Sequence, residues 1–341
     1  MAAAAPRARR RRWLLVALIV VLVAALVPYA LLTWVVYDTL SLAPRACHAS
    51  DQANTPAAFE VGAGIDSSPY LMPEPQEIRF ASRDPSIPDA QLAAWWIPQD
   101  QADAPAVVLV HGIQSCRREV TVLLAAGMLY RAGFSVFLMD LRDHGDSGGD
   151  DARFAAASEE YLDVLGGWDW VRGQGVPTDR IGLAGFSFGS LNAVFAGAEE
   201  PAVAAVWVDS APARTGDGIG DFVVDQLRQE IGDVAAAARI LVPGTVVWAR
   251  LLSGDDLLRF DAIDEVAKFP GRSIAFVHGA EDAVLPARYA TELHDAAAAA
   301  GAVTPDAWIV PGAGHTREIL VDPAGYEQRL VAFFTAALGA P

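Results

Sequence analysis

Ser187 sits in Gly185-Phe186-Ser187-Phe188-Gly189, and this G-x-S-x-G pentapeptide implies covalent chemistry more directly than any other part of the chain. At a sharp strand-to-helix turn the serine Oγ is held exposed, and the flanking glycines relieve the crowding of backbone around it. A hydroxyl is a weak nucleophile, so it needs a base, and the base needs a group that orients it. Two later segments carry the required residue types: Glu281 and Asp282 with Val284 and Pro286 close behind, and Gly312-Ala313-Gly314-His315. With Ser187 as nucleophile, His315 as base and an acid beside it, the chemistry is acyl transfer through an acyl-enzyme. Patterns for other chemistries are absent: there is no H-E-x-x-H, paired C-x-x-C, P-loop or G-x-G-x-x-G, so neither a metal nor a cofactor is expected.

These residues need elements to position them. Short, continuous apolar runs occur at residues 106–110, 135–139, 181–184, 203–208, 273–277 and 307–310, and segments long enough for helices, such as 120–132, 155–171 and 188–198, lie between most of them. Strands buried on both faces and alternating with helices predict a mainly parallel sheet in one α/β domain. Ahead of it, residues 77–82 and 91–98 alternate like a half-buried antiparallel hairpin across a turn rich in Pro and Asp. Residues 211–269 are then an insertion before the seventh strand. Phe222, Val223, Leu227, Ile231 and Val234 recur there at helical spacing, which predicts a small cap of two or three helices. In parallel sheets ligands bind beyond the carboxyl ends of the strands, and Ser187, Asp282 and His315 each follow a separate strand.

Composition separates the chain into parts. Residues 13–36 contain only Pro28 and Thr33 outside the apolar set. As a helix this run spans about 36 Å, enough to cross a hydrocarbon core of about 30 Å. Trp13 at one end and Trp34 and Tyr37 at the other suit the two interfaces. The five arginines at 7 and 9–12 predict a cytoplasmic N-terminus and an extracytoplasmic domain. The run is too long for the core of a cleaved signal peptide, and Pro44-Arg45-Ala46 is a poor lead-in to a lipid-accepting Cys47. After the span, 20 basic residues face 42 acidic ones, which disfavours nucleic acid as a partner. The organisation expected is a cytoplasmic basic arm (1–12), a transmembrane helix (13–36), a proline-bearing linker or stalk (37–75) and a hydrolytic domain (76–341). Such a stalk would let the acidic domain stand off the bilayer and favours soluble over bilayer-embedded substrates. Two cysteines, Cys47 and Cys116, make neither a disulfide framework nor a metal site, and they are read as independent thiols.

From Glu77 onward the chain resembles the α/β-hydrolases, and among them bacterial serine hydrolases of the dienelactone hydrolase-like and fermentation-respiration switch type. The residues that carry the likeness are Leu109-Val110-His111-Gly112, the stretch from Asp140 to Gly149, the serine elbow and the Asp282 and His315 segments. The chain order Ser187, Asp282, His315 is the one that fold uses. The resemblance implies an eight-stranded sheet with helices on both faces. It prefers Asp282 to Glu281, because Asp282-Ala283-Val284-Leu285-Pro286 matches the family's acid loop. It also implies an oxyanion hole from the backbone N–H groups of Phe188 and Ile113. His111 becomes a structural histidine. His144 and His278 fall in motif turns, His294 on a surface helix and His48 in the linker. Asp143 departs from the family, which usually has glycine there, so that loop is expected to differ in shape. The activity implied is a carboxylesterase-like cleavage of an ester, thioester or amide in a small-molecule or acyl-ester substrate. The alternatives are a serine peptidase and a membrane-tethered, non-catalytic binding protein on the same fold.

Overall fold

The computed structural model describes residues 5–43, 47–62, 64–101, 103–149 and 151–340. Residues 1–4 of the expected basic arm and 44–46 of the expected linker, including the lead-in to Cys47, lie outside the described residues.

Eight strands form one sheet: β1 (Gln76–Ala81), β2 (Gln91–Ile97), β3 (Ala106–Val110), β4 (Ser135–Met139), β5 (Ile181–Phe186), β6 (Ala205–Asp209), β7 (Ser273–Gly279) and β8 (Trp308–Val310). Their spatial order is β1-β2-β4-β3-β5-β6-β7-β8, with β1–β2 and β2–β4 antiparallel and the rest parallel. The central strands β3, β4, β5 and β6 are buried throughout. That is why they read as unbroken apolar runs and not as alternating ones.

The N-terminal helix α1 (Ala5–Leu40) is followed by α2 (Val120–Arg131), α3 (Tyr161–Gly173) and α4 (Phe188–Glu199). The 211–269 insertion contributes α5 (Thr215–Ile231), a 3-10 helix (Gly232–Leu241), α6 (Val242–Leu252) and the short α7 (Ala262–Glu265). Beyond it lie α8 (Arg288–Ala299), α9 (Glu318–Val321) and α10 (Pro323–Leu338). Trp168, Phe195 and Leu293, from α3, α4 and α8, fill one core layer against the sheet. Leu124, Leu330 and Phe334, from α2 and α10, fill the other.

Three expectations are corrected. Helix α3 begins at Tyr161, six residues later than the apolar pattern implied, because Ala156 and Ala157 take φ of 51° and 65° and the chain turns there. Glu160 Oε1 accepts from the Ala155 N–H at 2.6 Å and closes this turn. Secondly, Cys47 and Cys116 are not independent thiols but a disulfide, with their Cα atoms 5.4 Å apart. Thirdly, the linker is no free stalk: Phe59 and Met72 are buried in the sheet–helix core, and Asn54 Nδ2 donates to the Arg118 carbonyl at 3.2 Å. Pro56 lies in a turn and Pro69 in a short 3-10 helix (Ser68–Tyr70). Sequence spacing could not reveal the pairing, because Cys47 and Cys116 are 69 residues apart and meet only once the segment has folded back.

The bridge closes a long loop, so the unfolded chain loses much freedom when it forms. Changing both cysteines to serine is expected to lower the unfolding free energy by about 2–4 kcal/mol. Urea titration of the protein in detergent, compared with the parent, reads this directly.

Candidate active site

The C-terminal ends of β3, β5, β7 and β8 converge on Ser187. β5 ends at Phe186, and Ser187 takes φ 54° and ψ −115° before α4 begins at Phe188. A non-glycine residue in that region is strained, so the surroundings must hold it. Its N–H donates to the Asp209 carbonyl at 2.8 Å. A Cβ on Gly185 would come within 2.3 Å of the Gly189 carbonyl oxygen, and one on Gly189 within 2.2 Å of the Val110 oxygen. Both glycines of the motif are therefore required by close backbone approach.

His315 lies on the loop after β8. Its Nε2 is 2.7 Å from Ser187 Oγ and its Nδ1 is 2.7 Å from Asp282 Oδ2. Asp282 is on the loop after β7, its side chain fully buried. Its Oδ1 accepts from the N–H groups of Val284 and Leu285, each at 2.8 Å. His278 Nε2, which bonds the Leu285 carbonyl at 2.9 Å, also lies 3.0 Å from Oδ2. Burial alone would raise the Asp282 carboxyl, but the hydrogen bonds from His278 and His315 outweigh it and hold the group well below the usual carboxylate range. Glu281 is exposed, and it is Asp282 that meets His315.

Phe188 is the first residue of α4, so its N–H has no acceptor within the helix. Ile113 follows Gly112 on the loop after β3 and lines the space in front of Ser187. The loop is anchored from below. Arg117 is buried, donates from its backbone to Asp140 Oδ1 at 2.7 Å, pairs with Asp140 and Asp146 through its guanidinium, and lies over the Trp95 ring at 4.6 Å. Removing that cation strands the buried Asp140 carboxylate. Arg117→Met is expected to cost about 3–5 kcal/mol in unfolding free energy, measurable by denaturant titration.

His111, His144 and His294 are bonded away from Ser187. His111 accepts the Leu141 N–H at Nε2 and donates from Nδ1 to Gly112; burial drives its pKa down to about 3, so it is neutral. His144 Nδ1 bonds the Arg142 carbonyl, and His294 is paired with Asp295 on the surface. His278 does more than its sequence position implied, because it shares Asp282 Oδ2 with His315. Asp143 keeps the left-handed backbone expected of a glycine, with φ 60°; short carboxylate side chains tolerate that region better than most.

Two spaces meet at Ser187. One is an apolar cavity walled by Phe154, Ala156, Leu191, Ile219, Phe222 and Leu285. The other is a trough of about 530 Å³ on the His315 side, lined by Asp51, Glu60, Glu119 and Arg317 among others. Part of the trough wall is the segment after Cys47, within the expected linker. The signal that could have found it was Cys116, six residues after β3. Among the described residues no cluster suited to a metal ion occurs.

Residues 101–242 match the family model for serine aminopeptidase, S33. Solved structures share the fold. The Pyrococcus furiosus esterase Pf2001 is 20% identical with a TM-score of 0.60, covering 84% of this chain and 98% of that one. The hypothetical protein PA2218 from Pseudomonas aeruginosa is 19% identical with a TM-score of 0.56, covering 78% and 94%. The Pyrococcus horikoshii acylaminoacyl peptidase is 18% identical with a TM-score of 0.54, covering 78% of this chain but 42% of its own length. No curated protein matches the sequence. Strand order and structural neighbours together give the chain the α/β-hydrolase fold.

Proposed function

We propose that this chain, an α/β-hydrolase by fold, is a membrane-anchored serine hydrolase that cleaves carboxylic esters through Ser187, His315 and Asp282. The observation that carries the reading is one imidazole bridging a hydroxyl and a buried carboxylate, at 2.7 Å on each side. In the reaction His315 Nε2 takes the proton as Ser187 Oγ attacks the carbonyl carbon. The Phe188 and Ile113 N–H groups stabilise the oxyanion. The proton on His315 passes to the departing alkoxide, and water, deprotonated by the same imidazole, releases the acid and restores the serine. The acyl part lies in the apolar cavity and the leaving group in the polar trough. The protein should hydrolyse p-nitrophenyl esters and react with a fluorophosphonate probe. If a folded preparation did neither, the non-catalytic binding reading would take its place. If p-nitroanilides were turned over faster than the matching esters, the peptidase reading suggested by the family description would replace the esterase one.

The anchor reading joins this proposal. The part of α1 from Arg9 to Leu40 holds an 18-residue window with a mean hydropathy of 2.9, and no residue of that window is buried in the fold. With the arginines at its start it is read as a single span with a cytoplasmic N-terminus. The Cys47–Cys116 disulfide fits an oxidising compartment on the far side. A periplasm-active enzyme fused after Pro341 should be active and a cytoplasm-active reporter silent; the reverse pattern overturns the orientation.

A further inference from the structure

The cap is fastened to the anchor. Thr33, Val36 and Tyr37, which fall on one face of α1, are buried against the insertion, whereas Leu31, Leu32 and Val35 on its other side are exposed. Trp248 Nε1 donates to the Ala30 carbonyl at 2.9 Å, and Tyr29 OH donates to the Ile240 carbonyl at 2.9 Å. α6 approaches so closely that a Cβ on Gly244 would come within 2.5 Å of Thr33 Cγ2. From Trp13 to Thr33 the helix rises about 30 Å, one hydrocarbon thickness. If Trp13 marks the inner edge of the bilayer, α6 meets the anchor at the outer edge.

The outward side of the cap has the wrong chemistry for water. In the 3-10 helix Ala235, Ala238 and Leu241 face inward, leaving Val234, Ala237 and Ile240 outside. In α6, Thr245 and Ala249 are buried, while Pro243, Val247 and Leu251 are exposed. Val234, Ile240, Val247 and Leu251 each expose more than half of their surface. A surface helix of a soluble domain carries polar residues on that side. From 234 to 254 there is no acidic residue and there are two arginines, in a domain otherwise dominated by acids. Arg239 and Arg250 pair with Asp221 and Asp256, so the surface they flank is apolar and close to neutral, which suits a bilayer interface.

We infer that the 3-10 helix and α6 of the cap dock into the outer leaflet beside α1, so that Ser187 is presented to esters held in the bilayer. The inference rests on the anchor and hydrolase readings above. Its partner is the lipid surface, argued from continuity with α1: a bilayer that surrounds exposed Leu31, Leu32 and Val35 also reaches Val247 and Leu251. The apolar cavity is close behind. Ala156 and Ile219 line it and also pack in the cluster around Tyr37 and Trp248, so a single layer of side chains separates the anchor from the acyl site. This reverses the earlier expectation that a long stalk favours soluble substrates, since the linker is folded onto the domain and α1 itself grips the cap.

The test uses the full chain in vesicles of zwitterionic and anionic phospholipid. The photocrosslinker benzoylphenylalanine is placed singly at Leu22 in the anchor, at Leu251 in the cap, and at exposed Val303, which pairs with Ser273 at the opposite end of β7 from Asp282. Fluorophosphonate labelling of Ser187 verifies both fold and hydrolase reading in each variant. Lipid adducts at Leu22 and Leu251, with Leu251 roughly tenfold above Val303, support docking. Adducts at Leu22 alone, or a protein–protein adduct at Leu251, overturn docking and leave the anchor standing. No lipid adduct at Leu22 overturns the anchor reading and docking with it. A second readout compares turnover of one acid esterified either to a bilayer-anchored alcohol or to a water-soluble one. Val247→Asp combined with Leu251→Asp should lower that ratio roughly tenfold; an unchanged ratio overturns the presentation of bilayer esters.

Discussion

Replacing Ser187 by alanine is expected to reduce ester hydrolysis by roughly 10⁴-fold or more and to abolish labelling by a fluorophosphonate. The expectation follows from what the substitution removes and what it leaves. Alanine keeps the Cβ, so the strained turn still forms, with the Asp209 carbonyl holding the residue 187 N–H at 2.8 Å and the Gly185 and Gly189 contacts unchanged. The Phe188 and Ile113 N–H groups, proposed above to polarise the bound carbonyl, are untouched by the substitution. The attacking oxygen alone is lost, and with it the covalent intermediate, so the residual rate belongs to binding and oxyanion stabilisation. Relief of the polar contact to His315 should leave the unfolding midpoint unchanged or slightly raised. If Ser187→Ala retained labelling, the nucleophile would be another residue and the assignment would be wrong.

How much of this site is legible in the sequence depends on how local its geometry is. The elbow is: a glycine-flanked serine between an apolar run and a helical segment needs no distant residue to be recognised. The sheet is legible for the same reason, since strands buried on both faces announce themselves as apolar runs, and all eight appear within a few residues of their expected positions. What escaped was long-range. His278 Nε2 reaches both the Leu285 carbonyl and Asp282 Oδ2 because the acid loop doubles back over the end of β7, and nothing in the spacing of His278 and Asp282 distinguishes that from a solvated turn. The buried Arg117 looks, in sequence, like one of a pair of surface arginines. The start expected for α3 at Ala155 is six residues early because alanine is a helix former, and the positive φ values at Ala156 and Ala157 run against that preference. The cap's apolar outer face is visible as composition, but its meaning depends on α1 lying beside it. Apolar residues at helical spacing read as packing onto a core until the fold shows which side has no core to meet.

Asp282→Asn is expected to cost about 10⁴-fold in kcat and to destabilise the protein as well, and the double effect separates this residue from a merely nearby acid. The carboxylate is acceptor on both sides: Oδ1 takes the N–H groups of Val284 and Leu285, and Oδ2 takes His315 Nδ1 and His278 Nε2. An amide cannot reproduce that. With its oxygen toward the two imidazoles, its NH2 opposes two backbone donors at a buried site. With its NH2 toward the imidazoles, the His315 tautomer that keeps Nε2 free to accept from Ser187 is disfavoured. Leaving a buried donor opposed in this way costs about 1–3 kcal/mol, which denaturant titration resolves. The exposed neighbour supplies the control: Glu281→Gln should leave kcat within about twofold and unfolding within about 0.5 kcal/mol. Should Glu281→Gln instead carry the large loss and Asp282→Asn the small one, the acid would have been misassigned despite the 2.7 Å contact to His315.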